Sequence, residues 1–244
     1  MTDSSGFVLA IVPARGGSKG VPDKNVRTLA GRTLLDRVAD TARRSGVIDR
    51  IILTTDSEAI AAAARRAGLD VPFMRPASLA QDDTPMLPVV RHAVDELSRA
   101  GWTADLIVLL QPTSPLRKPH HISDAVALLR SSGADSVVSV VEIPRHLSPD
   151  YVMRIDGEVL KPFLPEGAGI SRRQDARAAY SRDGTVYAFR RTTLERFGNI
   201  YGENCRPLVI DPSDSLSIDS PADWTNAERI LAARESETER MRPA

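Results

Sequence analysis

Three cations stand in a glycine-rich segment near the start of the chain, which reads PARGGSKGVPDKN over residues 13–25. Glycines let backbone N–H groups approach an anion closely, and Arg15, Lys19 and Lys24 would neutralise its charge. The segment follows an apolar, β-type run over residues 7–12. It has neither the P-loop spacing nor the dinucleotide-binding fingerprint. The residues therefore indicate a phosphate-binding loop of another type, with a solvated basic turn as the alternative.

A second polar segment, QPTSPLR over residues 111–117, directly follows the apolar run 106–110. In an open α/β sheet, ligands bind beyond the carboxyl ends of the strands, near the point where the strand order reverses. Both polar segments would project there, into the same crevice. On its own, the second segment is also typical of a rigid turn with two prolines and capping hydroxyl groups.

The elements that must position these segments follow from the hydrophobic pattern. Apolar β-type runs alternate with amphipathic helical patterns, which predicts an α/β fold with a mostly parallel, doubly wound, Rossmann-like sheet covered on both faces. The predicted strands cover residues 7–12, 50–54, 106–110, 136–141, 185–189 and 207–210. Two predicted helices cover residues 33–45 and 57–67. A third would have Thr84 as its N-cap and Pro85 at its first position, and a fourth would start at Ser220-Pro221.

We expect residues 1–244 to form one domain. Residues 142–180 are rich in proline and short strand patterns, and they predict an arm or flap inserted into that domain. Residues 235–244 carry mixed charges with little apolar content, and they predict a frayed, flexible tail.

Composition excludes several classes of protein. Lys+Arg and Asp+Glu both number 32, so no overall field favours nucleic acid or an anionic membrane. One cysteine, Cys205, rules out an internal disulfide framework, and no Cys/His pattern has zinc spacing. No apolar stretch has the length of a membrane span. These features predict a cytoplasmic protein with neither a nucleic-acid partner nor a membrane partner.

Taken together in this order, the motifs resemble those of the acylneuraminate cytidylyltransferase family, and the resemblance covers nearly the whole chain. The matching motifs are Arg15, Ser18-Lys19-Gly20, Lys24-Asn25, Thr55-Asp56, Arg75-Pro76, the unbroken 111–117 segment, Arg173-Gln174 and the Ile-Asp-Ser-Pro element at 218–221.

The resemblance implies a nucleotidyltransferase that transfers CMP from CTP to the anomeric hydroxyl of an acidic sugar and releases pyrophosphate. The sugar would be a nonulosonic or 2-keto-3-deoxy acid. The resemblance also implies Mg²⁺ as cofactor and a homodimer in which the arm completes the acceptor site of the partner.

Roles for single residues are implied in the same way. Arg15, Lys24 and Lys19 would be catalytic, and Ala14, Arg15, Gly16, Asn25 and Arg75 would bind the nucleotide. Gln111, Thr113, Ser114, Arg173 and Asp183 would contact the sugar, and Asp219 would hold the metal. Alternative roles remain for two of these residues, since Arg173 could be an exposed surface charge and Asp219 a charge ahead of a helix N-terminus.

Three departures from the family pattern leave other functions open. Ser217 stands where the family has the first carboxylate of Asp-x-Asp, although Asp211 or Asp214 could compensate. Asp183-Gly184 replaces Asn-Gly, and Met86-Leu87 stand where some members have serines. The alternatives are another nucleotide, a sugar-phosphate or phosphonate acceptor, or a regulatory nucleotide-binding module without turnover.

Overall fold

The computed structural model describes residues 6–169 and 172–240, and within this part the chain forms ten β-strands and six α-helices. The strands are β1 (Val8–Pro13), β2 (Thr28–Leu29), β3 (Arg32–Thr33), β4 (Arg50–Thr54), β5 (Leu106–Leu109), β6 (Ser136–Glu142), β7 (Met153–Asp156), β8 (Val159–Pro162), β9 (Tyr180–Arg190) and β10 (Cys205–Val209). The helices are α1 (Leu34–Arg44), α2 (Glu58–Arg66), α3 (Met86–Arg99), α4 (Pro119–Ser132), α5 (Arg191–Phe197) and α6 (Pro221–Arg240).

The main sheet has six strands in the order β10-β6-β9-β5-β1-β4. Strand β1 pairs in parallel with β4 and β5, and β10 pairs in parallel with β6. Strand β9 alone among the six runs antiparallel, between β5 and β6. The chain passes from β1 to β4 on one side and then to β5 on the other, so the strand order reverses at β1. The mostly parallel α/β sheet expected from the sequence is confirmed.

Helices cover both faces of this sheet, as the doubly wound pattern predicted. Alternate side chains of β1 enter two different cores. Val8, Ala10 and Val12 pack with residues of α1, α2 and α4, whereas Leu9 and Ile11 pack with residues of α3 and α5. All five are at most 2% exposed. Burial on both faces explains why β1 reads as a continuous apolar run rather than an alternating one.

The predicted helix starts are largely confirmed. The Thr33 side chain accepts from the N–H three residues on, and a capping box closes the start of α1. The Ser220 N–H and hydroxyl both donate to a carboxylate at the start of α6. The prediction for α3 was wrong by one residue, because Pro85 keeps an extended ψ of 153° at the cap position and the helix begins at Met86. No side chain caps that helix.

Helix α4 is missing from the sequence-based assignment, although its signals are readable. Pro119 takes the first helical position, where the absent N–H costs nothing. The helix ends at Gly133, which has a φ of 63° and adopts the left-handed conformation that glycine tolerates. Between them, residues 122–129 place four buried apolar side chains at helical spacing. The helix was missed because it directly follows the segment 111–117, which was interpreted as a turn and a ligand-binding loop.

The region expected to form an arm leaves the main sheet after β6 and rejoins it at β9. Between them, β7 and β8 pair with each other as a separate antiparallel ribbon. Ile155 is 80% exposed and Leu160 is 62% exposed on this ribbon. Residues 235–240 were expected to belong to a frayed tail, but they continue α6. Glu and Arg, which are strong helix formers, make up four of these six residues. Residues 241–244 lie outside the described residues.

None of the helices in the described ranges combines the length and apolar character that crossing a membrane requires.

Candidate active site

A cavity of about 440 Å³ opens at the carboxyl edge of the sheet, beyond β1 and β5. Four parts of the chain form its wall: the glycine-rich loop, the segment that leads into α3, the start of the 111–117 segment and the approach to α6. The wall consists of Pro13, Ala14, Arg15, Ser18, Lys19, Gly20, Lys24, Asn25, Arg75, Leu79, Gln81, Asp82, Thr84, Met86, Val89, Gln111, Pro112, Thr113, Ser217 and Asp219.

Most residues expected at the site lie in this one wall. They are Ala14, Arg15, Lys19, Lys24, Asn25, Arg75, Gln111, Thr113 and Asp219. Four others, Gly16, Ser114, Arg173 and Asp183, are not among the lining residues. Four cations therefore face one cavity with two carboxylates, which is a surface suited to an anion with several charges.

Lys24 is fixed by the segment that precedes α6. Its Nζ donates to the backbone oxygen of Ile218 at 3.0 Å and lies 3.8 Å from the carboxylate of Asp219. Only 18% of the Lys24 side chain is exposed. Burial lowers the pKa of Lys24 below its ordinary value, and the nearby Asp219 carboxylate opposes that shift. The Ile218 carbonyl and the Asp219 carboxylate therefore hold the ammonium group in position within the protein itself.

Arg15 and Lys19 share a carboxylate that sequence reasoning missed. An Nη atom of Arg15 lies 2.6 Å from Asp82, and the ammonium of Lys19 pairs with the other Asp82 oxygen. The hydrogen bond from Lys19, and after it that from Arg15, holds the pKa of Asp82 below the usual carboxyl value. The only sequence signal was an acidic pair, Asp82-Asp83, in a loop far from the glycine-rich segment. The two cations are therefore already arranged around an anionic group.

Arg75 is held at the end of β4. Its Nε donates to the hydroxyl of Thr54 at 3.2 Å, and one Nη donates to the Thr54 carbonyl at 2.5 Å. The residue is 6% exposed, and burial lowers the pKa of Arg75 to about 10. A guanidinium so fixed presents its remaining donors in a set direction, which favours recognition of a planar or charged ligand group.

Two of the expected ligand-binding residues have structural partners instead. The N–H of Gly16 donates to the Asp56 carboxylate at 2.9 Å. The hydroxyl of Ser114 donates to the carbonyl of Gly184 at 3.0 Å, and Ser114 is buried. The first bond joins the glycine-rich loop to the residues just after β4, and the second joins the segment after β5 to the middle of β9. In this geometry Gly16 and Ser114 position the wall of the cavity.

The two other residues outside the wall lie toward the arm. The Asp183 carboxylate accepts from the N–H of Thr185 at 3.1 Å and from its hydroxyl at 2.5 Å, within the part of β9 where the pairing with β6 is irregular. Arg173 starts a short 3₁₀ turn between β8 and β9 and is exposed. Neither side chain lines the cavity in the single chain.

Asp219 is the more exposed of the two carboxylates in the wall. One of its oxygens accepts from the Ser217 hydroxyl at 2.9 Å, and 72% of the side chain is exposed. The described residues contain no group of three or more His, Cys, Asp or Glu side chains that could hold a metal. One carboxylate and one hydroxyl fit a Mg²⁺ ion only if phosphate and water supply the other ligands, as they commonly do.

The two carboxylates that could have replaced the one missing at Ser217 do not line the cavity. Asp211 caps a 3₁₀ turn, where its side chain accepts from a backbone N–H. Asp214 is 3% exposed and pairs with Lys118 at 2.7 Å and Arg234 at 2.8 Å. Neither lines the cavity, because the turn and these ion pairs hold them elsewhere.

A family model described as cytidylyltransferase matches residues 9–208. The chain belongs to the cytidylyltransferase family. It is 34% identical to the CMP-N,N'-diacetyllegionaminic acid synthase of Legionella pneumophila, over 92% of this chain and 96% of that protein. It is also 34% identical to the N-acylneuraminate cytidylyltransferase A of Danio rerio, over 93% of this chain and 51% of that protein.

Solved structures share the fold of this cytidylyltransferase. A CMP:2-keto-3-deoxy-manno-octonic acid synthetase complexed with CTP superposes with a TM-score of 0.70 at 16% identity, covering 93% of this chain and 99% of that one. A 4-diphosphocytidyl-2C-methyl-D-erythritol synthase from Anaerococcus prevotii has a TM-score of 0.64 at 17% identity, covering 93% of this chain and 99% of that one. The family model and the two relatives show that the chain is an enzyme of the nucleotidyltransferase type. Enzymes of this family generally use a divalent metal.

The close approach of the glycine-rich loop to Asp219 yields a test. A Cβ added at Gly20 would lie 2.0 Å from the backbone oxygen of Asp219, so Gly20→Ala must push the two segments apart. We expect kcat/KM for CTP to fall by about 100-fold, because displacements near 1 Å have such effects on aligned groups. Gly46→Ala is the control, since its Cβ would meet nothing within 4 Å and it lies outside the wall, while its φ of 69° makes the substitution a test for a general loss of stability. Equal rates for the two variants would contradict the assigned contact.

Proposed function

We propose that this protein transfers CMP from CTP to the anomeric hydroxyl of an acidic sugar, a nonulosonic or related 2-keto-3-deoxy acid. The observation that carries the proposal is the convergence of Arg15, Lys19, Lys24 and Arg75 on one cavity at the point where the strand order reverses. The acceptor class is supported by the relatives named for legionaminic and neuraminic acids.

The triphosphate would lie along the glycine-rich loop. Arg15 and Lys19 there hold the Asp82 carboxylate, and a triphosphate would take its place with more charge and more acceptor oxygens. Lys24 approaches from the opposite segment, held by the Ile218 carbonyl. These cations would stabilise the charge that develops on the departing pyrophosphate.

The nucleobase would occupy the side of the cavity formed by the segment that leads into α3. Leu79, Met86 and Val89 give this side an apolar surface, and Arg75 adds fixed donors beside them. A flat aromatic base with carbonyl and ring-nitrogen acceptors fits such a combination. Asn25, whose side-chain amide donates to the Arg15 carbonyl at 3.4 Å, would keep the loop at the correct distance.

The acceptor sugar would face Gln111 and Thr113. These residues follow β5 and line the side of the cavity next to β9. The sugar oxygen would attack the α-phosphorus, the bond from phosphorus to the bridging oxygen would break, and pyrophosphate would leave with that electron pair. The hydroxyl proton would be released to solvent. Catalysis of this kind is mainly positioning and charge neutralisation, which the four cations supply.

Mg²⁺ is the divalent ion that we propose for this site. Asp219 would bind it, and the Ser217 hydroxyl would orient the Asp219 carboxylate or join the ligand set. The ion would neutralise phosphate charge when bound. Lys24 lies near the same carboxylate and would keep Asp219 from binding a cation strongly in the absence of nucleotide.

A homodimer would complete the acceptor side. The ribbon of β7 and β8 exposes Ile155, Val159 and Leu160, each more than half exposed, and an isolated two-stranded ribbon is marginally stable in water. A second copy would cover this surface and bring its Arg173 toward Gln111. A guanidinium fork there would pair with the sugar carboxylate.

The reaction can be tested by measuring pyrophosphate with Mg²⁺, each of the four NTPs, and sialic, legionaminic, pseudaminic and 3-deoxy-octulosonic acids beside sugar phosphates. We expect release only with CTP and an acid sugar. Lys24→Ala should lower the rate by at least about 100-fold with the fold retained, since it removes a charge that acts on the leaving group.

Each other outcome contradicts the proposal in a specific way. Release with another NTP or with a sugar phosphate would show that the enzyme uses substrates other than those proposed. Nucleotide binding without turnover on any acceptor would indicate a regulatory module. A near-normal rate for Lys24→Ala, with unchanged circular dichroism as control, would remove the assigned role of Lys24.

The pH dependence of kcat/KM for CTP reports the ionisation of the free enzyme. Because burial lowers the pKa of Lys24, the ammonium loses its proton as pH rises through a value below the ordinary 10.5. We therefore expect kcat/KM to fall on the alkaline side below that pH. Lys24→Arg keeps its charge to higher pH and should move the fall upward. An alkaline limb that stays in place would show that another group causes it.

The position of Arg173 can be tested by mixing inactive subunits. We would co-express Lys24→Ala and Arg173→Ala chains with different tags and purify the heterodimer. If Arg173 acts in the site of the other copy, one of the two sites is intact and about half of the wild-type rate returns. If Arg173 acts within its own chain, both sites stay damaged and no activity returns. The two homodimeric variants are the controls.

A further inference from the structure

Arg117, the last residue of the 111–117 segment, is a nearly buried cation. It is 6% exposed and does not line the cavity of the candidate active site. Burial lowers the pKa of its guanidinium to about 10, and the Asp183 carboxylate opposes that shift. The group is therefore charged at neutral pH, and its hydrogen bonds must satisfy a full positive charge inside the protein.

Two backbone carbonyls satisfy this charge, one on each side of a strand junction. The Nε of Arg117 donates to the Thr185 carbonyl at 2.5 Å, and one Nη donates to the Gln111 carbonyl at 2.6 Å. The pairing of β5 with β9 ends at Leu109 opposite Tyr187. The same register, continued by two residues, would place Gln111 opposite Thr185. The guanidinium thus bridges the two chain segments where the pairing of their strands stops.

The same junction confines the side chain of Gln111. A Cβ added at Gly184 would lie 2.9 Å from Oε1 of Gln111, so the amide end of Gln111 lies directly against this glycine. The Ser114 hydroxyl donates to the Gly184 carbonyl at 3.0 Å. Among the described residues, no hydrogen bond uses the side-chain amide of Gln111. This amide lines the cavity with a donor and an acceptor that remain available to a ligand.

We propose that Arg117 is a positioning residue for the acceptor: by holding the Gln111 and Thr185 carbonyls together, it sets where the Gln111 amide meets the sugar. The inference rests on the proposed function, which places the acceptor against Gln111. A planar guanidinium donates to both carbonyls in one fixed geometry, whereas a lysine ammonium is a compact point charge on a flexible stem. Arg117→Lys therefore keeps the charge and loosens the bridge.

A matched control for Arg117→Lys lies at the far end of β9. Arg190 also donates through Nε and one Nη to two carbonyls, those of Ala134 and Leu129, and it does not line the cavity. In Arg117→Lys we expect kcat/KM for the acid sugar to fall at least about tenfold, because small misplacements of an aligned group have effects of this size. Arg190→Lys should change it less than about twofold. The Kd for CTP, measured by calorimetry without sugar, should stay within about twofold of wild type in both variants.

A double-mutant cycle with Gln111→Ala separates positioning from general support of the fold. If Arg117 acts through the Gln111 amide, Arg117→Lys should cost no more than about twofold once that amide is gone. A purely structural arginine would cost the same factor in both backgrounds.

Ser114→Ala is a milder variant that leaves the buried charge in place and decides the matter if Arg117→Lys does not fold. It removes only the hydroxyl bond from the same segment to β9. We expect kcat/KM for the sugar to fall about threefold, as for the loss of one neutral hydrogen bond, with the Kd for CTP unchanged. An unchanged kcat/KM would count against the junction as the device that positions Gln111.

Several results would overturn the positioning role of Arg117. They are equal losses in Arg117→Lys and Arg190→Lys, a matching loss of CTP affinity, or an undiminished loss in the Gln111→Ala background. A normal rate for Gln111→Ala alone would also overturn it. Failure of the proposed function has a different signature, because the wild-type enzyme would then release no pyrophosphate with any acid sugar, and the inference would fall with it.

Discussion

The site depends on the way Ile218 ties three distant parts of the chain together. Its N–H donates to the Thr113 carbonyl at 2.9 Å, and its carbonyl accepts from Lys24 at 3.0 Å. Its side chain is fully buried in a third core, together with Trp224 of α6. The glycine-rich loop, the loop after β5 and the approach to α6 therefore share one fixed point. Because side chain and backbone are both engaged, Asp219 is placed by packing as well as by hydrogen bonds.

The cations of the cavity wall are partly neutralised by two carboxylates. Collecting four cations on one wall is unfavourable unless anions lie between them, and Asp82 and Asp219 fill this role from opposite sides. Asp82 holds Arg15 and Lys19 around an anionic group, so these two cations are ordered by the protein itself. In the proposed function a nucleotide would displace a single carboxylate, which is a small reorganisation compared with ordering a mobile loop.

In one chain the proposed acceptor side is less complete than the proposed nucleotide side. Gln111 faces the cavity, but Arg173 lies on an arm that exposes apolar side chains such as Ile155. An interface between two copies would account for both observations, because burying the ribbon and delivering a guanidinium would be the same event. The proposed acceptor site would then be assembled only when the protein associates, which couples its activity to oligomerisation.

The sequence by itself determined the local features: strands that are apolar on both faces, the cap at Thr33, the cation spacing of the glycine-rich loop and the family itself. The strands, the cap and the cation spacing follow from side-chain types and short-range periodicity, which do not depend on distant partners, whereas the family follows from the resemblance of its motifs. Only the tertiary structure decided which residues face the cavity. It joined Asp82 to Arg15, turned the amide of Gly16 toward Asp56, and buried Asp214 among cations outside the cavity that Asp219 lines. Long-range contacts of this kind leave no pattern along the chain, because each depends on where the folded elements meet.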